Sequence, residues 1–375
     1  MTRPWRIGIV NFPLVEAGVK SLSHMLDILG PLSNKLHLIA GNAAATLRED
    51  YDEVDFNTVN HKTGKNPVTR VTSYFITQLR IAFKLISLSK KVDLWVFFPG
   101  GEAGLLLPMV TAKLIRSRVI LCLGSSDTEF AKARKDRLLL LLTGASRINL
   151  ALCSRIILFS DNLIDEWKLN KYESKILIAD RHFLDFDKFK ILKPLKKRSN
   201  LVGYIGRLSL EKGILSFVEA ISKACESKRN VNFLIGGEGP LRDNIEKYLS
   251  YNDLSGKVKL TGWIPYHELP RYLNELKLLV LPSSSEALPN IMLEAMACGT
   301  PVLATPVGAI PNVIKDSKTG FIIEDSTPEC IAGNILRALN HAHLQEIVQN
   351  ARNLVTQEFT YANAVERWQA ILSRL

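Results

Sequence analysis

Short runs of apolar residues recur along the chain, each followed by a polar loop and then by a segment whose apolar positions fall three and four apart. In the first half the runs cover residues 7–10, 36–40, 94–98, 119–123, 156–159 and 176–178; in the second they cover 201–205, 233–236, 258–260, 278–281, 302–304 and 321–323. Runs this short, bounded by glycine, proline or small polar residues, fit strands buried on both faces. Between them, Leu22, Met25, Leu26 and Leu29 repeat at i, i+3, i+4, i+7, and so do Ile214, Phe217, Val218 and Ile221. Helices with one apolar stripe have that spacing. Phe75, Leu79, Phe83 and Ile86 mark another helix, and Tyr361, Val365, Trp368 and Leu372 mark the last. The stretch between residues 40 and 94 is otherwise polar and reads as irregular up to that helix. Regular strand and helix alternation predicts parallel sheets covered on both faces, an α/β fold.

The polar, basic, proline-containing stretch KPLKKRSN at 193–200 reads as a linker between domains covering 1–192 and 201–360. One segment fits two readings. A basic cluster at 132–137 runs into five leucines, Leu138 to Leu142, and this suits either an interfacial helix or a helix buried between sheet layers. The buried helix is the expectation.

Candidate chemistry concentrates in LPSSSEALPNIMLEAMACGTPVLATP, residues 281–306. It reads as strand, loop, helix, tight turn and strand, with the helix opening at Pro289, where a missing amide hydrogen costs nothing. The free amides that follow form an anion site. Glu286 in the loop and Glu294 inside the helix both border that site. Carboxylates repel phosphate, so they suit the hydroxyls around it, those of a sugar or ribose. Arg207 and Lys212 lie in another strand-to-helix loop and supply cations for an anion. FLIGGEG, containing Gly237, has the look of a phosphate cradle with a helix opened by Pro240, although it lacks the spacing of the usual glycine-rich motifs. In the first half, Gly18 sits where a loop meets a helix, and Gly100 and Gly101 end a strand. Each suits a cleft or an ordinary turn. Asp127 is a possible cleft carboxylate, with helix capping by Ser125, Ser126 or Asp127 as the preferred reading. The paired aspartates of LDFDKF, Asp185 and Asp187, suit a turn better than a metal.

Composition narrows the picture further. With 47% hydrophobic residues in a chain of 375 residues, two well-packed cores are expected. Five scattered cysteines without metal-type pairs suit a reducing cytosol. No signal-peptide pattern opens the chain, and no apolar segment reaches membrane-spanning length. The expected location is the cytoplasm, with a peripheral position at the inner face of the membrane open. The net charge is +11, and residues 1–192 carry 27 Lys and Arg against 19 Asp and Glu. That surplus suits an anionic membrane or a phosphate-bearing substrate. No recognition motif accompanies it, so nucleic acid is not an expected partner.

Taken together, GRLSLEKG, GGEGPLR, LTGWIP, LPSSSEALPNIMLEAMACGTPVLAT and VGAIPNVIKDSKTGFI resemble the donor-binding half of a family 4 (group 1) retaining glycosyltransferase. The resemblance implies the GT-B fold, two Rossmann-like domains facing across a cleft, with the C-terminal helix 361–375 packing back on the first domain. It implies transfer of a sugar from a UDP- or GDP-sugar to a saccharide or lipid-linked saccharide hydroxyl, with no cofactor and no metal. By position, Arg207 and Lys212 would hold the diphosphate, Glu294 the ribose and Glu286 the donor sugar. The backbone of Leu288, Pro289, Asn290 and Ile291 would hold phosphate or sugar, and Gly262, Trp263 and Ile264 would lie beside the base. The chain departs from the family pattern in three places: Ala17-Gly18 after Glu16 in place of paired glycines, Leu123 near a frequent histidine, and His182-Phe183 before Leu184. Two rival readings therefore stand beside transfer, a non-catalytic nucleotide-sugar or glycan-binding relative and a sugar-nucleotide epimerase.

Overall fold

The computed structural model describes residues 5–13, 16–133, 136–227 and 230–375. The chain forms two compact units, one running up to His182 and including Tyr361–Leu375, the other Phe183–Thr360.

The first unit contains, in order, β1 (Trp5–Val10), α1 (Glu16–Leu29), β2 (Ser33–Ala40), β3 (Asp55–Thr58), α2 (Pro67–Leu88), β4 (Leu94–Gly100), α3 (Leu106–Leu114), β5 (Arg118–Leu123), α4 (Asp127–Ala133), α5 (Leu139–Leu152), β6 (Arg155–Leu158), α6 (Asn162–Glu166) and β7 (Ile176–Ile178). Its sheet has the order β3-β2-β1-β4-β5-β6-β7, parallel throughout. Strand β3 lies inside the stretch expected to be irregular. Its sequence DFNT has one strongly apolar residue, because an edge strand is covered less than a central one.

Two helical expectations are corrected. Helix α2 forms, but the residues that marked it do not face the sheet. Ile81, Ala82, Leu85 and Leu88 are buried, while Phe75, Leu79, Phe83 and Ile86 are exposed. The leucine run is not buried either: Leu138, Leu140 and Leu141 are exposed, Leu140 at 85%. Helix α5 faces the unit with Ser146, Asn149 and Leu150 instead. Asn149 donates to the carbonyls of Glu102 (2.9 Å) and Gly104 (2.8 Å), which fixes the rotation of the helix.

The second unit contains β8 (Leu201–Ile205), α7 (Ile214–Ser227), β9 (Asn232–Gly236), α8 (Arg242–Tyr251), β10 (Val258–Gly262), α9 (Leu269–Glu275), β11 (Leu278–Leu281), α10 (Asn290–Ala297), β12 (Val302–Ala304), α11 (Ile310–Val313), β13 (Phe321–Ile322), α12 (Pro328–Leu339) and α13 (Leu344–Glu358). Its sheet is also parallel, in the order β10-β9-β8-β11-β12-β13. A core of Tyr204, Phe217, Phe233, Phe321 and Ile335 fills one side.

Residues 193–200 are not a free linker. Arg198 is 4% exposed and donates to the carbonyls of Lys193 (2.9 Å), Leu276 (3.0 Å) and Cys298 (2.7 Å) and to Thr300 (2.7 Å). The backbone amides of Leu192 and Lys193 donate to Asn274. These bonds tie the stretch into the second unit, so the division falls at His182/Phe183, ten residues earlier than charge and proline content suggested. The last helix, α14 (Tyr361–Leu372), belongs to the first unit: the Tyr361 hydroxyl donates to the Asp27 carbonyl (2.9 Å) and Trp368 Nε1 to the Asp180 carbonyl (3.3 Å).

The first unit also buries histidines. Burial, then Lys20 and Arg181, lowers the His24 imidazole to about 3, and burial with Arg181 drives His182 well below its ordinary value. Unfolded histidine takes up a proton near pH 6.5. Between about 6.5 and 3 the unfolded chain therefore binds protons that the folded one refuses, and stability falls with acidity. The raised carboxyl of Asp127, described below, acts oppositely, so the histidine share is isolated by difference. Chemical denaturation of wild type and His24→Gln between about pH 5.5 and 4 should give slopes that differ by about 1.4 kcal/mol per pH unit. Parallel slopes would show that His24 does not carry this dependence.

Candidate active site

In each sheet the strand order reverses once, between β1 and β4 and between β8 and β11. Ligands of open parallel sheets bind beyond the carboxyl ends of the strands at such a reversal. The loops after β8 and β11 carry Arg207, Lys212 and Glu286, so topology alone converges on the residues that chemistry selected.

These two loops are locked together. Leu210–Lys212 forms a single 3₁₀ turn closed by Gly213 at φ +66°, and a Cβ there would lie 2.0 Å from the Pro282 carbonyl oxygen. Only glycine permits both that conformation and that approach. The Ser284 amide donates to the Glu211 carbonyl at 2.9 Å. On this support Lys212 Nζ meets Glu286 Oε1 at 2.7 Å, and Ser283 Oγ donates to the same oxygen at 2.8 Å. Both bonds converge on Oε1, which leaves Oε2 oriented by two anchors and available to accept from a ligand hydroxyl. A third loop packs on the backbone of Glu286: Gly308, at φ +59°, sits where a Cβ would be 1.9 Å from the Glu286 carbonyl oxygen, and the Ala309 amide donates to the Ala287 carbonyl (2.7 Å). Arg207 is different. Its guanidinium is mostly exposed, 3.8 Å from Glu211, so it is free to swing toward an anion. Its backbone carbonyl is pinned by the Tyr204 hydroxyl at 2.6 Å.

Helix α10 begins at Asn290, and Pro289 is its cap rather than its first residue as expected. Proline at ψ +122° is extended, as a cap should be, and it turns the chain so that the first amides, those of Asn290 and Ile291, project from the helix start. Leu288 and Pro289 are buried and so offer a ligand backbone only. Glu294 is 2% exposed inside α10. Tyr266 lies within its electrostatic reach: burial, then Glu294 and Asp185, raise that phenol.

In the glycine-rich segment after β9 the Gly237 amide is already spent inside the unit. Gly237, at φ +124°, packs against the Gly206 carbonyl oxygen, which a Cβ would meet at 2.0 Å, and its amide donates to Gly262 at 2.7 Å. Helix α8 starts at Arg242, not Pro240, and Arg242 is occupied by Glu238 and Glu246. Gly237 and Gly262 thus hold two strand ends together. Trp263 is 59% exposed and Ile264 buried, so of the three expected near a base only the indole presents a side chain to solvent.

In the first unit Gly18 lies in the first turn of α1, just inside the helix rather than before it; Leu14 and Val15 of the preceding loop lie outside the described residues. Gly100, Gly101 and Asp127 come together. The Gly100 carbonyl accepts from Gly124 (2.8 Å) and Ser125 (3.0 Å), and a Cβ on Gly101 would meet the Asp127 carboxylate at 2.3 Å. Asp127 accepts from the Ala103 amide (2.9 Å) and does not cap α4. Ser126 does, accepting from Glu129 (3.2 Å), together with Glu102, whose carboxylate accepts from Asp127 (2.9 Å) and Thr128 (3.0 Å). Burial, with Glu102 beside it, pushes the Asp127 carboxyl up to about 6. Asp185 makes a turn, accepting from the amides of Asp187 and Lys188. Among the described residues no group of three His, Cys, Asp or Glu side chains is arranged to hold a metal ion.

Sequence reasoning missed Ser283 and Glu102. Ser283 had a signal, a hydroxyl three residues before a carboxylate in a loop; Glu102 had none, because its partners are more than twenty residues away.

Two nearly complete parallel sheets, each with a reversal in strand order, define the GT-B fold. The chain superposes on Anabaena HepE in complex with UDP and glucose with a TM-score of 0.77, covering 98% of this chain and 99% of that one at 17% identity. It superposes on a sucrose-phosphate synthase from Thermosynechococcus elongatus with a TM-score of 0.76 at 18% identity, covering 98% and 99%. Residues 185–354 match the family model described as glycosyl transferases group 1, which spans the second unit almost end to end. Among characterised sequences the chain is similar to an α-D-kanosaminyltransferase of Streptomyces kanamyceticus, 30% identical over 201 residues, 52% of each chain. The chain thus spans about half the length of the curated relatives it matches.

Proposed function

We propose that the chain is a retaining glycosyltransferase that moves a sugar from a UDP- or GDP-sugar to a saccharide or lipid-linked saccharide hydroxyl. The observation that carries this reading is the locked pair Lys212–Glu286 at the strand-order reversal of a unit matching the group 1 family. Lys212, Arg207 and the first amides of α10 face the developing negative charge of a diphosphate leaving group, the arrangement that lowers such a barrier. With those cations at hand the reaction has no need of a metal. Glu286 Oε2 accepts from a donor-sugar hydroxyl, and Glu294 from the ribose. The acceptor hydroxyl attacks from the face the diphosphate leaves, and its proton passes to a leaving oxygen. HepE, a relative in fold, was captured with UDP and glucose, which supports a nucleotide-sugar donor.

Saturation-transfer NMR of the protein against UDP-, GDP- and ADP-sugars tests this. Transfer from one nucleotide sugar, lost in Glu294→Gln, is the expected result; silence across the panel overturns it. The non-catalytic reading rests on the altered loop at Ala17-Gly18 and on Leu123, which is fully buried at the end of β5 and carries no titratable group. Turnover of donor with an acceptor removes that reading.

A further inference from the structure

Among the described residues, most of the exposed large apolar side chains lie on one helical layer. They are Val68, Val71, Phe75, Ile76, Leu79, Phe83 and Ile86 on α2, Leu114 at the end of α3, and Leu138, Leu140, Leu141 and Ile148 at α5. Helix α3 packs against both α2 and α5, so the three helices form one sheet-covering layer of the first unit. Its inner side is satisfied by Ile81, Leu85 and Leu88, and its outer side is apolar and exposed, uncovered by the described residues.

Charge on this layer is one-sided. From Lys62 to Lys91 the chain carries seven Lys and Arg and no Asp or Glu, and all seven are exposed. Arg80 and Lys84, four residues apart on α2, flank the stripe on one edge. A surface helix normally points its apolar stripe inward and its charges outward. Here a cationic outer face with phenylalanines and isoleucines in its middle is the pattern of a helix lying in a lipid interface.

We infer that the outer face of α2, continued by the start of α5, docks the first unit onto an anionic bilayer surface, with Phe75, Leu79 and Phe83 entering the acyl boundary and Arg80 and Lys84 meeting phosphate headgroups. No described helix is long and apolar enough to cross a membrane, and three cations within α2 keep it in the plane of the interface. A second copy is the poorer occupant, because a two-fold contact on this face would bring the same uncompensated cations together. The inference goes beyond the transferase reading and survives or falls separately from it.

Flotation of the full chain with vesicles of phosphatidylcholine alone, and of phosphatidylcholine with phosphatidylglycerol in equal parts, tests the docking. Wild type should float with the anionic vesicles only, and less as salt rises. Phe75→Glu/Phe83→Glu should weaken partition by about tenfold or more, with thermal unfolding unchanged because both positions are exposed. Tyr251→Glu, a control at an exposed aromatic of the other unit, should float as wild type does. Failure of wild type to float, or undiminished flotation of the double variant, overturns the inference. So does a dimer in sedimentation equilibrium that the double variant dissolves, since the face would then belong to a second copy. Nucleotide-sugar NMR on the same preparations reports the donor site independently.

Discussion

Lys212→Ala is expected to lower kcat/KM for sugar transfer by about 10²–10³, the usual cost of removing one preorganised charge from a developing anion. Most of the loss should fall on kcat, because negative charge on the leaving diphosphate grows toward the transition state. Stability should change little. Lys212 is bound at 2.7 Å to Glu286, but Glu286 keeps Ser283, and the backbone of both loops is held by Gly213 against Pro282 and by Ser284 against Glu211. Because Lys212 and Glu286 share one bond, Lys212→Ala/Glu286→Gln should cost much less than the two single losses combined. Steady-state kinetics of the four proteins settles both points. Unchanged kinetics in Lys212→Ala would remove the diphosphate assignment, and strict additivity would separate the two residues into independent roles.

The fold was legible because parallel strands buried on two faces leave an unmistakable pattern, and nearly every predicted run became a strand. Strand β3 escaped because an edge strand needs few apolar residues. The candidate site was legible for a different reason: Arg207, Lys212 and Glu286 occupy loops at carboxyl ends of strands, where core packing does not dictate side-chain type. What sequence could not show was orientation. Phe75, Leu79 and Phe83 have helical spacing whichever way they face, and only the burial of Ile81, Leu85 and Leu88 reveals that the stripe points outward. Gly237 was ambiguous, because a glycine required by a close carbonyl looks, in one dimension, the same as a glycine that receives phosphate. The linker misled through Arg198, since a basic residue is ordinarily a sign of exposure.

That arginine yields the largest expected effect on stability. Burial lowers its guanidinium to about 10, yet it stays charged, because its donors are spent on carbonyls that close the ends of two helices: Leu273 and Leu276 at the end of α9, and Cys298 after α10. Thr300, just before β12, and Asn274 complete the set. Arg198→Ala strips these acceptors together and leaves a polar hole in place of a guanidinium, so a loss of roughly 3–5 kcal/mol is expected. For a unit of this size that lowers Tm by about 10 °C. Arg198→Lys should recover little, because three donors on a single point cannot span acceptors that a planar fork reaches. All of these bonds lie at the end of the sheet opposite Lys212 and Glu286, before β11 and β12 rather than after them. Transfer measured well below the melting range should therefore retain the wild-type kcat. A Tm within about 3 °C of wild type would mean that the carbonyls find water instead, and a lost kcat at low temperature would mean that the two ends of the sheet are coupled.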